Sequence, residues 1–436
     1  MKAILGLRRE DKNIWERRVA ITPDHVRLLQ QQNDLTFYVQ PFDRRAFRDQ
    51  EFADAGAALR EDLSPCKIIF GIKEIPVNLL LPGKIYLFFS HTIKGQSYNM
   101  PMLQKIIDLK STLIDYECIK DSHGRRSVFF GTFAGMAGMV ETFRALGLRL
   151  KRRGYPTPFA NLRPAYEYHD VAEAKAHLGH IGEDLKKQGL PAAYKPLVFG
   201  FSGYGHVSKG AQEMFDLMPH QQVEPDELVS LPKNQQALLY KVVFEEKHMV
   251  EPVDPSIPFD KQDYFSHPQK YQGIFERYLP HLHVLANGIY WDKRYPRLVS
   301  KDFLKNRFTS DQRLKLEIIG DISCDINGSI ECTEKTSTPD MPVYAYHPVT
   351  GQIIDGYDGD GLLIMAVDNL PAELPRDASE FFSKSLWTFI PDIARADWQK
   401  PLDEMAIADE IKKAVIVHNG RLTADYAYLS NYLPKC

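Results

Sequence analysis

The run Pro196-Leu197-Val198-Phe199-Gly200-Phe201 passes without a spacer into Ser202-Gly203-Tyr204-Gly205-His206-Val207-Ser208-Lys209-Gly210-Ala211. A short, continuous apolar run reads as a strand buried on both faces, and the glycines after it read as a tight turn opening a helix. A strand covered on both faces needs parallel neighbours and flanking helices, which confines the chain to a layered α/β architecture.

The first 130 residues repeat that alternation. Strands are expected at Ala3 to Leu7, Thr36 to Val39, Lys67 to Ile72 and Ile85 to Ser90. Thr22-Pro23 opens a helix with a hydroxyl cap and proline at its first position, and Asp49 to Arg60 suits another. This part reads as one Rossmann-like domain. The small-residue run Gly131 to Gly138 leads into a helix over Met139 to Leu150, closed by Lys151-Arg152-Arg153-Gly154 as a solvated basic end. Tyr155 to Tyr168 has the proline and aromatic content of a linker, and Val171 to Gln188 is helical. Asp226 to His281 shows little period and yields no topology. Strands resume at Val284-Leu285, Glu317 to Ile322 and Leu362 to Val367, while Asp355 to Gly361 lacks the calcium-loop spacing and reads as a hairpin turn.

At 436 residues the chain exceeds one ordinary domain, so two domains with a cleft between them are expected. Net charge of -3 gives no electrostatic reason for nucleic acid or an anionic membrane as partner. A small ligand is expected instead. Cys66, Cys118, Cys324, Cys332 and Cys436 are odd in number and scattered, so they read as reduced thiols rather than a disulfide or zinc framework. No apolar signal core or arginine-rich transit segment precedes the first strand, and no apolar run reaches membrane-spanning length; a cytoplasmic protein is expected, an organelle form with its presequence removed reading the same.

Three further stretches carry chemistry: Glu16-Arg17-Arg18-Val19-Ala20-Ile21-Thr22-Pro23, Gly71-Ile72-Lys73-Glu74 and Ser90-His91-Thr92-Ile93-Lys94-Gly95-Gln96. A fixed guanidinium at Arg18 can clamp a carboxylate, while Lys73 and His91, each just past a strand, can share proton transfer. Alone, either would read as a surface lysine or a hydrogen-bonded structural histidine. Their joint occurrence with the glycine turn favours amino-acid and keto-acid redox chemistry. In that reading Gly203 and Gly205 approach a dinucleotide pyrophosphate, and Glu224, about twenty residues on, takes the ribose. Ser208 stands at the third glycine position of the usual pattern, with Gly210 two residues later.

The stretch Arg18 to Pro23 resembles the N-terminal signature of alanine dehydrogenases and proton-translocating transhydrogenases. The fuller run Gly6 to Arg18, with Phe88 to Lys94, Val207 to Gln212, Val223-Glu224-Pro225, Asn287 to Trp291 and Asp368 to Pro371, resembles the lysine–2-oxoglutarate reductase domain of bifunctional aminoadipic semialdehyde synthases. Fungal saccharopine dehydrogenases are similar too. The resemblance implies Lys73 as proton acceptor and His91 as proton donor. It implies Arg18, Lys94, Gln96, Arg126, Phe130, Ser323, Cys324 and Asp325 as substrate residues. Around the nucleotide it implies Arg125, His206, Val207, Glu224, Tyr290, Ile322, Val367, Asp368, Asn369 and Leu370. It further implies a discontinuous substrate domain of residues 1–134 and 372–436 around a dinucleotide domain of residues 135–371. The activity implied is reductive condensation of L-lysine with 2-oxoglutarate to saccharopine. The family favours NADP(H), whereas an acid at Glu224 favours a free ribose 2′-hydroxyl and keeps NAD(H) open; no metal is implied. A saccharopine-oxidising enzyme or fused domain is the expected functional partner. An NAD-dependent, lysine-forming saccharopine dehydrogenase is the alternative; a non-catalytic nucleotide or amino-acid sensor is the rival of another class.

Overall fold

The computed structural model describes residues 3–231, 238–310 and 314–434, and the chain divides into two compact units, Met1–Phe130 with Pro375–Cys436, and Gly131–Leu374. Each holds one eight-stranded sheet.

In the first unit the chain lays down β1 (Ala3–Leu7), β2 (Leu35–Val39), β3 (Ala58–Leu59), β4 (Ile68–Phe70), β5 (Ile85–Phe88) and β6 (Thr112–Asp115). Across the sheet these run β3-β2-β1-β4-β5-β6, all parallel. Every residue of β4, β5 and β6 is buried, as strands covered on both faces require. The order reverses between β1 and β4, the switch point where open α/β sheets gather ligands outside their strand ends. The helix expected over Asp49 to Arg60 ends at Asp54, because Ala58 and Leu59 pair with Tyr38 and Val39 at the sheet edge.

The second unit contains β7 (Leu197–Ser202), β8 (His220–Gln222), β9 (Leu239–Phe244), a small antiparallel ribbon of β10 (Val250–Pro252) and β11 (Tyr271–Gly273), then β12 (Val284–Asn287), β13 (Ile318–Asp321), β14 (Val343–Tyr346), β15 (Ile353–Asp355) and β16 (Leu362–Met365). Its sheet order is β15-β14-β16-β13-β12-β7-β9-β8. Thus β9, from the stretch whose topology the sequence leaves open, inserts between β7 and β8.

The small-residue run is itself helical: one helix spans Gly131–Arg152. It packs on the helix His206–Phe215 so closely that a Cβ at Gly135 would lie 1.9 Å from the Val207 carbonyl oxygen, and one at Gly210 would lie 2.1 Å from that of Thr132. Its basic end is exposed, as expected, and two of its charges are paired as well. Arg153 donates to both oxygens of Glu317 at 2.6 and 2.5 Å, and Arg152 pairs with Asp358. Residues 356–361 do not form a hairpin turn; they connect β15 to β16, which flank β14 on opposite sides. The buried Arg149 guanidinium holds this connection through the carbonyls of Tyr357 (2.8 Å), Gly359 (2.6 Å) and Gly361 (3.0 Å). The chain then returns to the first unit through the helix Pro375–Leu386 and adds β17 (Val415–His418), antiparallel to β6, and β18 (Arg421–Leu422). Cys66, Cys118, Cys324 and Cys332 are free thiols; Cys436 lies outside the described residues. Among the described residues no helix is long and apolar enough to cross a membrane.

Candidate active site

At the first unit's switch point, three strand ends converge through their carboxylates. Glu10, three residues past β1, accepts from the backbone N–H of Ile72 at 2.8 Å and of Lys73 at 3.0 Å, which fixes the turn after β4. The next residue, Glu74, joins that turn to the end of β5: its Oε1 lies 2.7 Å from His91 Nδ1 and its Oε2 accepts from Lys12 Nζ at 3.0 Å. Burial raises the Glu74 pKa, but the hydrogen bond and charge of His91, with Lys12, outweigh burial and hold the carboxyl at about 2. An ionised carboxylate only accepts, so His91 Nδ1 carries the proton and Nε2 is left for exchange. His91 itself sits in the left-handed region at φ 48°, with its carbonyl accepting from Asn99 Nδ2 at 3.1 Å.

Lys73 is half-buried beside Arg18. Desolvation, then the Arg18 charge, depresses its pKa, with Glu16 and Glu74 opposing them. An amine so depressed can act as a base nearer neutrality. Arg18 donates Nε to Glu16 Oε1 at 2.7 Å and Nη2 to Oε2 at 2.6 Å, both side chains being buried, so the fork that sequence reading reserves for a substrate carboxylate is committed within the chain. Its guanidinium carbon lies 4.2 Å from the Phe130 ring centroid, and Phe130 stacks on Phe382 at 4.6 Å. The loop after Arg18 is pinned by the returning helix: Val19 N–H donates to Ser379 Oγ and Thr22 N–H to Ser383 Oγ, each at 3.0 Å.

Lys73, His91, Arg18 and Phe130 are therefore linked in one cluster. Other candidates in this unit stand apart from those links. Lys94 is exposed, with its N–H donating to Gln96 Oε1 at 3.2 Å. Arg126 pairs with Glu117, and Arg125, 75% exposed, pairs with Asp121 at 2.8 Å.

In the second unit Ser323 donates to the buried Asp321 at 2.7 Å, and Asn287 Nδ2 donates to Asp321 at 2.8 Å and Ser323 at 3.1 Å. Ser202 Oγ completes this network at 2.6 Å from Asn287 Oδ1, tying the ends of β7, β12 and β13 together. The Cys324 thiol, its pKa raised by burial, donates to the Ala366 carbonyl at 2.9 Å. Asp325 lies in the same turn, its carbonyl accepting from Gly328 N–H at 2.9 Å. Ile322, Val367, Asn369 and Leu370 are buried, and Asp368 is exposed.

The glycine turn fits a dinucleotide. Gly203 has φ 77°, and a Cβ there would meet Ile289 at 2.9 Å; a Cβ at Gly205 would meet nothing within 4 Å. The helix His206–Phe215 begins at this turn, so its first N–H groups face the space that an anion would occupy. A cavity of about 320 Å³ covers the turn, bounded also by Ile289 and the largely exposed Tyr290. Glu224 stands elsewhere. It follows the outer strand β8, is exposed, and its N–H bonds Glu227 at 2.7 Å at the start of a 3-10 turn.

Comparison with known proteins accounts for this pair of sheets. Residues 6–137 match the alanine dehydrogenase/PNT N-terminal domain and residues 292–425 match the alanine dehydrogenase/PNT C-terminal domain. The chain belongs to the alanine dehydrogenase/PNT family. Within the wider similarity, alpha-aminoadipic semialdehyde synthase of Arabidopsis thaliana is 40% identical over 98% of this chain and 41% of its own length. The protein named alpha-aminoadipic semialdehyde synthase, mitochondrial, of Bos taurus is 36% identical over 98% of this chain and 48% of its own length. This family member thus spans less than half of those relatives. The saccharopine dehydrogenase [NAD(+), L-lysine-forming] of Yarrowia lipolytica is 26% identical over 90% of the chain and 93% of its own length. A solved L-alanine dehydrogenase shares the fold at a TM-score of 0.64, with 16% identity and 98% of each chain covered.

Sequence reading misses what this alanine dehydrogenase/PNT member does with Glu10. Only its spacing past a strand, as for Lys73 and His91, could have marked it. Asn287 is missed for another reason: its partners Ser202, Asp321 and Ser329 come from distant segments.

Proposed function

We propose that this chain is a nicotinamide-dependent oxidoreductase acting on a CH–NH bond, and specifically a lysine–2-oxoglutarate reductase that forms saccharopine. The observation that carries the reading is the Lys73/His91 pair, held by Glu10 and Glu74 at the switch point of a chain similar along 98% of its length to alpha-aminoadipic semialdehyde synthases. In this reading the ε-amine of lysine attacks the ketone of 2-oxoglutarate, water leaves, and the imine is reduced to a secondary amine. The nicotinamide supplies the hydride for that reduction. Lys73, with its depressed pKa, takes protons from the attacking amine, and His91 Nε2 delivers one to the departing oxygen. Glu74 holds Nδ1 and so orients the imidazolium form of His91, whose Nε2–H is the proton that moves. Arg18, together with Lys94, Gln96 and Arg126, supplies positive and polar groups for the substrates' carboxylates; Phe130 braces Arg18. Ser323, Cys324 and Asp325 are the substrate residues proposed from the second unit. There Gly203, Gly205, His206 and Val207 hold the pyrophosphate, with Tyr290 and residues 367–370 beside the nucleotide.

The full length of the Yarrowia relative supports a second reading, the reverse physiological direction with NAD. Initial rates of NADH and NADPH oxidation with L-lysine plus 2-oxoglutarate test the proposal, with pyruvate plus ammonia as control. Lysine-dependent oxidation is expected. No turnover in either direction, with saccharopine also tried, would overturn it in favour of a sensor.

A further inference from the structure

In an open α/β sheet that binds a dinucleotide, the acid that reads the ribose stands at the end of the strand lying directly beside the glycine-turn strand. Chain order and spatial order usually agree, so counting about twenty residues forward finds it. Here they disagree. The strand reached by counting is β8, which among the described residues pairs only with β9, whereas β9 pairs with β7 along its whole length, Leu197 opposite Leu239 through Ser202 opposite Phe244. Glu224 is therefore two strand spacings from β7, roughly 10 Å sideways. It is also set back: Gln222 pairs with Lys241, which pairs with Phe199, so Glu224 is level with strand residues before the turn.

The end of β9 stands where the end of β8 would otherwise stand. Gly203 N–H donates to the Phe244 carbonyl at 2.8 Å, so Glu245 and Glu246 emerge beside the glycine turn. Of the two, Glu245 caps the short helix that follows, its N–H bonding His248 Nδ1 at 3.0 Å. Glu246 lines the cavity over Gly203 and Gly205. The hydroxyl of Tyr204, the residue between those glycines, donates to Glu246 Oε2 at 2.9 Å. Lys261 bonds the same hydroxyl and stands 3.6 Å from Glu246 Oε1.

We infer that Glu246, placed by the inserted strand β9, is the residue that reads the adenosine ribose, and that the chain therefore takes a dinucleotide with a free 2′-hydroxyl in preference to one carrying a 2′-phosphate. The inference rests on the dinucleotide site proposed above and corrects the position of its acid. A carboxylate accepts from a ribose hydroxyl and repels a phosphate dianion. Lys261 is already engaged by Glu246 and Tyr204, so it offsets that repulsion incompletely.

The test is binding, by calorimetric titration of the purified chain with NADH and with NADPH in the absence of substrate. NADH is expected to bind at least about tenfold more tightly. Glu246→Gln should shrink the ratio by about tenfold, weakening NADH and strengthening NADPH, while Glu224→Gln should leave it unchanged. Tighter binding of NADPH by the unaltered chain would overturn the inference. So would a ratio insensitive to Glu246→Gln, or a selective loss of NADPH in Lys261→Ala, which would make that lysine a phosphate ligand. Binding without discrimination refutes the role of Glu246 alone; no binding of either nucleotide refutes the dinucleotide site itself, and this inference with it.

Discussion

Lys73 and His91 are useful only in the company of carboxylates. Lys73→Met should lower kcat by about 10²- to 10⁴-fold while leaving dinucleotide affinity within error, as loss of a proton-transfer group does; paired kinetic and calorimetric measurements check both halves. Glu16 raises the Lys73 pKa while Arg18 lowers it. Removing the Glu16 charge should therefore push the Lys73 pKa further down, and because a base works only when deprotonated, the acidic limb of the pH–rate profile of Glu16→Gln should move to lower pH. The same change takes the carboxylate fork from the buried Arg18 guanidinium, and breaking a buried ion pair costs about 3–5 kcal/mol in comparable sites, so the variant should also melt earlier. At this scale the sequence is a partial guide. Lys73 and His91 follow apolar strands and can be picked out by position. Glu10, Glu74 and Glu246 acquire meaning only once strand order says whose neighbour each is.

Strands buried on both faces leave an unmistakable pattern, and the expected positions of β1, β7 and β16 fall on the observed ones because burial leaves no choice of residue type. Elements decided by partners are harder to read. Ala58–Leu59 forms a strand because β2 offers an open edge, and β9 has an ordinary strand sequence whose insertion between β7 and β8 no local property announces. The helix Gly131–Arg152 starts earlier than its apolar spacing suggests, since its glycines serve close packing rather than a loop. Gly135→Val should expose that dependence. Its side chain would collide with the Val207 backbone, and overpacking of this kind costs about 1–3 kcal/mol or more. Thermal melts should show the loss, with weaker dinucleotide binding alongside, because Val207 belongs to the helix that opens at the glycine turn.

Acid stability should report on both units. His283 is buried and its Nδ1 accepts from Val198 N–H at 3.1 Å; burial lowers its pKa from 6.5 to about 4. Between those values the unfolded chain binds more protons, so stability is full above pH 6.5 and falls as the pH drops towards 4, by up to about 3 kcal/mol. His283→Gln should flatten this part of a melting-temperature profile. Glu74, folded pKa about 2 against 4.5, contributes above pH 4.5 and is lost below it. Residues 131–374 have their own sheet and core and should fold alone with one cooperative melt. Residues 1–130 should not, since β6 would lose β17 and the loop at Val19 would lose Ser379 and Ser383. That discontinuity sets a timetable. On the ribosome the opening segment is made first yet must wait for the returning helix, and at roughly 5–20 residues per second the wait lasts roughly ten seconds to a minute. The unit that begins second finishes first, and the apolar strands of the opening segment are what a nascent-chain chaperone would find uncovered in the interval.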